Sequence, residues 1–220
     1  MDSEKITYIK YCANVFLAKC EAQHKKGEII IVQTNRGDLH ECKVHNFICR
    51  TKDGGYAYSV TRTDGTNTAT IAARRADCRR DWAQKAEERS SQNFEKAESA
   101  VAGIVPGQPV LVGHHSESAH RAAIDSSWRA MGHSVEESEK AKSHLSKADY
   151  WDRKAEDITL DMPESLEYFK EQLERAIEYH QGVKSGKYPR EHAYTLTYAK
   201  KAVNELQKKV EIAERLWGES

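Results

Sequence analysis

Residues 116–157, SESAHRAAIDSSWRAMGHSVEESEKAKSHLSKADYWDRKAED, decide how the rest of the chain is read. Ile124, Trp128, Met131, Val135, Ser138, Ala141, Leu145, Ala148, Trp151 and Ala155 recur at steps of three and four, the stripe of an amphipathic helix. At about 1.5 Å per residue such a helix spans ~63 Å. The preceding segment, from Ala72, places Ala76, Ala83, Ala86, Ser90, Phe94, Ala97 and Val101 on one seam of mostly small residues, which lets a partner helix approach closely. Gly103 and Pro106-Gly107 break that pattern, and Gln108 to Gly113 reads as an extended connector. The two segments are expected to pair as a long antiparallel helical hairpin, a coiled-coil-like stalk weakened in the middle by Gly132.

Outward from this stalk, Leu160-Asp161-Met162-Pro163 restarts the chain. Leu166, Phe169, Leu173, Ala176, His180 and Val183 make one stripe, and Leu196, Ala199, Val203, Leu206, Val210, Ala213 and Trp217 the return stripe of a second hairpin. At the other end, Ile6, Ile9, Ala13, Phe16, Leu17 and Cys20 follow helical spacing, which predicts a helix over residues 5–23. Three strand-like runs follow, Ile29 to Thr34, Leu39 to Thr51 and Tyr56 to Thr63, separated by Asn35-Arg36-Gly37-Asp38 and Asp53-Gly54-Gly55. The expected fold is α+β and predominantly helical: an N-terminal helix plus a three-stranded antiparallel meander, then two long antiparallel helical hairpins. The corresponding segments are 1–70, 71–158 and 159–220.

Composition agrees with long, partly exposed helices. Apolar residues make up 39% of the chain and charged residues 31%, with a mean hydropathy of −0.78, against a usual apolar share of ~45–50%. An elongated particle that dimerises through its small-residue stalks is the expectation. No run approaches the ~18 apolar residues of a membrane span, and no charged start leads into an apolar h-region. A cytoplasmic protein without membrane association is therefore expected. Thirty-four basic side chains balance thirty-four acidic ones, and no third of the chain is a polycation, which argues against non-specific nucleic-acid binding. The cysteines, Cys12, Cys20, Cys42, Cys49 and Cys78, are odd in number and contain no CxxC pair, so reduced thiols are expected rather than a zinc site or a disulfide framework.

One segment carries the residues from which chemistry could be built: Gly113, His114, His115, Ser116 and Glu117, followed by His120 and Arg121. Ser116 is a good N-cap, so the amides after it face outward at a helix start carrying partial positive charge. Three readings fit. His120 can continue the seam as a satisfied core histidine while His114 and His115 are loop residues. Alternatively His114, His115 and Arg121 hold a phosphate or carboxylate, with imidazoles able to shuttle protons. A metal site from His114 or His115, Glu117 and His120 is the third, although its spacing matches no usual signature. A second patch, Tyr188, Arg190, His192, Tyr194 and Tyr198, reads either as a packed hairpin tip or as a surface for a ligand or partner. No Walker A, GxGxxG or HExxH motif occurs, so no cofactor is expected.

The run Pro106-Gly107-Gln108-Pro109-Val110-Leu111-Val112-Gly113-His114-His115-Ser116-Glu117, with His120-Arg121 and Met131-Gly132-His133-Ser134-Val135-Glu136, resembles the family called domain of unknown function 3560. The typical run there is similar to "PxGQPILVGHHSExxHR". Agreement is close over about residues 72–157, and the flanks look like those of longer phage relatives. This chain departs from the pattern at Ala122, where a second arginine is common, and at Met131-Gly132-His133, where Met-Arg-Lys is frequent. The resemblance implies a helical architecture and an origin in bacteriophages or other mobile elements. The leading expectation is a phage-type accessory protein that binds a phosphate-bearing ligand, a nucleotide or nucleic-acid end, at the Gly113 to Arg121 turn, with hydrolysis left open. The alternative is a non-enzymatic anti-defence or host-interaction protein that engages a host protein through its helical surfaces.

Overall fold

A computed structural model describes residues 6–219. Residues up to Ile71, together with those from Glu156 onward, form one compact unit, and Ala72–Ala155 form another. In the first unit five strands, β1 (Thr7–Cys12), β2 (Val15–Cys20), β3 (Ile29–Gln33), β4 (Leu39–Arg50) and β5 (Tyr56–Arg62), close into a barrel in the order β1-β2-β5-β4-β3. Neighbours are antiparallel except β1 and β3, which close the barrel in parallel where Thr7 pairs with Gln33. The Gln33 amide donates 2.8 Å to the carbonyl of Ile6 at this closure.

Strand β2 is buried on both faces. Ala18 and Cys20 enter the barrel interior with Ile30, Val32, Cys42, Val44 and Tyr58. Val15 and Leu17 instead pack with Ala57 against Leu216 of the last helix. That helix, α4 (Thr195–Trp217), pairs with α3 (Ser165–Ser185) and ends on the barrel. Its last carbonyls, which have no partner within a helix, are met by barrel side chains. Ser59 Oγ donates 2.8 Å to the Leu216 carbonyl, and Asn46 Nδ2 donates 2.7 Å to that of Gly218. The Trp217 indole donates 2.9 Å to the Leu160 carbonyl.

The expected fold class needs correction. Residues 7–20 are the β1–β2 hairpin, not part of an N-terminal helix, and the sheet is a closed five-stranded barrel, not a three-stranded meander. Residue 5, where the expected helix began, lies outside the described residues. The apolar residues of β2 fall on both faces, so they mask the period-2 signal and mimic helical spacing. Two counter-signals were present: the β-forming run Ile6-Thr7-Tyr8-Ile9 and Asn14, whose φ of 63° makes the turn between Cys12 and Val15. The two long hairpins expected from the sequence are also not what forms. Helices α1 (Thr68–Val101) and α2 (Glu117–Glu156) have 34 and 40 residues, while α3 and α4 have 21 and 23 and belong with the barrel.

In the second unit α1 and α2 lie antiparallel. Ser90 Oγ donates 2.8 Å to the Ser134 carbonyl, and both serines are buried. Stepping seven residues in opposite directions from that pair sets Ala83 opposite Ala141 and Ala76 opposite Ala148, all buried. Arg89 pairs with Glu137 at 2.7 Å, Arg80 with Asp152, and the Arg75 guanidinium lies 4.6 Å over the Trp151 ring. Among the described residues no helix is long and apolar enough to cross a membrane, and none of the five cysteines is in a disulfide.

Candidate functional site

Between α1 and α2 the chain reverses through exposed residues, and Gly113 takes the left-handed conformation at φ 82°, one that side-chain-bearing residues rarely adopt. The His114 amide donates 3.2 Å to Leu111, and the Glu117 amide donates 2.9 Å to the carbonyl of His114. The Ser116 carbonyl accepts the first helical bond of α2, from the His120 amide at 3.0 Å, as an N-cap carbonyl does. The Ser116 hydroxyl is turned to His114 Nδ1, 2.8 Å away.

Glu117 is the anchor of this turn. Its carboxylate accepts 2.6 Å from the Gly113 amide and 2.9 Å from Arg121 Nε, one helical turn on. The backbone donor first, then Arg121, holds this carboxyl below the usual glutamate range. One donor that the sequence assigns to an external anion, Arg121, is thus engaged by a carboxylate of the chain itself.

The imidazoles remain presented to solvent. His114 and His115 lie with ring centroids 4.1 Å apart and planes tilted by 41°, both exposed. His114 Nδ1 also accepts 3.3 Å from the Ser116 amide, so a neutral ring in this arrangement carries its proton on Nε2. Arg121 is exposed and keeps its terminal guanidinium nitrogens beyond the bond to Glu117. His120 is half-buried, and its Nε2 is buried without a hydrogen bond. Gly113, His114, His115, Ser116, Glu117 and Arg121 are therefore drawn into one turn, with His120 on the helix behind them. Among the described residues no group of three or more His, Cys, Asp or Glu side chains is placed to hold a metal ion.

Sequence reasoning did not include Val105, Leu111 and Val112 in this site, yet all three are exposed on the same connection. The available signal was the apolar run between Pro109 and Gly113, which has no helical or strand partner to bury it. His133 lies in a shallow groove with Arg89, Lys96 and Glu137. In the Tyr188 patch, Tyr188 lies 5.8 Å from Tyr179 in a stack and His192 Nδ1 meets Thr195 Oγ1 at 2.6 Å at the start of α4, while Arg190, Tyr194 and Tyr198 are exposed.

The sequence model of the family described as Domain of unknown function (DUF3560) matches residues 67–188, more than half of the chain. The chain belongs to this family. The matched region opens at Asn67, whose side chain accepts 2.9 Å from the Thr70 amide and caps α1. It continues through α2 and α3 to Tyr188, so the family segment contains the whole histidine turn, while the barrel strands and α4 lie outside it. No curated protein and no solved structure matches the chain.

Proposed function

We propose that this family member binds a phosphate-bearing ligand, a nucleotide or a nucleic-acid end, at the turn from Gly113 to Arg121. The observation that carries the reading is the exposed pair of imidazoles, 4.1 Å apart at the start of a 40-residue helix. Imidazole N–H groups and the guanidinium of Arg121 make charge-assisted hydrogen bonds to phosphate oxygens, and the partial positive charge of the α2 N-terminus acts in the same direction. The exposed Leu111 and Val112 suit the ring portion of a nucleotide better than inorganic phosphate alone. Glu117 is assigned the role of shaping the turn, since its carboxylate holds the Gly113 amide and Arg121. The setting in a phage or another mobile element, implied by the resemblance of the GHHSE run, fits a protein that handles nucleotides or nucleic-acid ends.

Nuclear magnetic resonance tests this directly. Addition of a nucleoside monophosphate should shift the imidazole signals of His114 and His115 and leave those of His40 and His45 in place. Equal shifts at all histidines, or none, would oppose the assignment.

A further inference from the structure

On α2, one position beyond the buried row of Ser134, Ala141 and Ala148, the residues Arg121, Trp128, Val135, Lys142 and Asp149 recur at seven-residue steps. All five are exposed, Trp128 at 73% and Val135 at 53%. Leu145 on α2 and Phe94 on α1 add exposed apolar surface at 50% and 43%. The helix pair buries a row of alanines and serines between its members and leaves Trp128, Val135, Leu145 and Phe94 exposed. An apolar stripe bordered by charges marks an interaction surface.

We propose that this row is the interface of a homodimer in which α2 packs antiparallel against α2 of a second copy, about a two-fold axis at Val135. The row is complementary to its own reversal. Antiparallel pairing about that axis brings Arg121 to Asp149 of the other copy at each end. It also brings Lys142 to the face of Trp128, a cation–π arrangement, and Val135 to its own equivalent. A parallel pairing in register would set each charge against its like. Isologous contact of this kind closes after two copies, so the assembly stops at a dimer. The seven-residue repeat matches the spacing at which paired helices stay in contact along their length, and the row from Arg121 to Asp149 runs ~42 Å at about 1.5 Å per residue. The inference shares Arg121 with the ligand reading but does not rest on it, since association is measured with no ligand present.

Sedimentation velocity of the full chain from micromolar to hundreds of micromolar should show a monomer–dimer equilibrium. Arg121→Glu and Asp149→Arg should each raise the dissociation constant at least tenfold, and the two together should bring it back to within about threefold of the wild type. Circular dichroism on each variant reports whether α2 is retained. In a Cys49→Ser, Cys78→Ser background, Val135→Cys should form a disulfide-linked dimer under mild oxidation. A monomer at every concentration overturns the proposal. So does a dimer that withstands both charge reversals, a charge swap that fails to restore association, or a Val135→Cys chain that does not cross-link.

Discussion

The Glu117 carboxylate and the Gly113 amide, four residues apart, close the turn between α1 and α2 with a 2.6 Å hydrogen bond. Because Arg121 Nε holds the same carboxylate, the position of the two imidazoles depends on an acid that points back into its own loop. Glu117→Ala should therefore reduce nucleotide affinity although the acid carries the wrong charge for a phosphate contact. Helical circular dichroism should change little, because the clamp is confined to one end of α2. The carboxyl is held below the usual glutamate range, so the clamp is intact above that range and is lost only as the pH falls through the lowered value. An affinity increase in Glu117→Ala would show that Glu117 competes with the ligand instead of shaping its site.

The end of α4 is satisfied by the barrel, and that dependence can be measured. Ser59→Ala removes the donor to the Leu216 carbonyl in a fully buried setting. A cost of about 1–3 kcal/mol, the range for a buried group left without its partner, is expected in denaturant unfolding. The same substitution at the exposed Ser146 should cost nothing measurable.

Gly182 is required by a ring, not by its backbone angle. A Cβ at this position would lie 2.2 Å from Tyr188 Cδ2. Gly182→Ala should destabilise the α3–α4 connection by about 1–3 kcal/mol through overpacking, outweighing the ~1 kcal/mol that alanine gains over glycine in a helix. Combining it with Tyr188→Ala should remove the clash and turn the Gly182→Ala change favourable in a double-mutant cycle.

Alkaline stability should depend on Tyr8. Burial, then the 3.0 Å hydrogen bond with Cys42 Sγ, raises the phenol above its ordinary range. A raised folded-state value means that the neutral form supports the fold, an effect fully present below about pH 10 and lost as the pH rises further. Tyr8→Phe should flatten the decline in stability above that pH. An unchanged decline would place the alkaline sensitivity elsewhere.

Sequence periodicity located the long helices α1 and α2, placed only part of the buried face of α2, and misread β2, which is buried on both faces. On α1 the expected seam residues Ala76, Ala83, Ala86, Ser90 and Ala97 are buried, whereas on α2 only Ala141 and Ala148 of the expected stripe are; Trp128, Val135 and Leu145 of that stripe are exposed, and Ser134, which it did not contain, completes the buried row. Residues 15–20 failed as a strand signal because Ala18 and Cys20 face the barrel interior while Val15 and Leu17 face α4. The need for that second face lies some two hundred residues downstream, at Leu216, which no local window contains. The residues of the histidine turn could be listed from the sequence, but their roles could not. That Glu117 would bind back to Gly113 follows from the left-handed backbone at Gly113 and from side-chain geometry, neither of which spacing encodes.

Calorimetric titration of the wild-type chain with a nucleoside monophosphate, inorganic phosphate and a 5′-phosphorylated oligonucleotide tests the ligand reading most directly, run beside His114→Ala, His115→Ala and Arg121→Ala. Binding of at least one phosphate-bearing ligand is predicted, weakened tenfold or more by each substitution, as loss of a charge-assisted bond of about 1.5–3 kcal/mol requires, with melting temperature unchanged. No heat with any of the three ligands, or binding indifferent to all three substitutions, would contradict it.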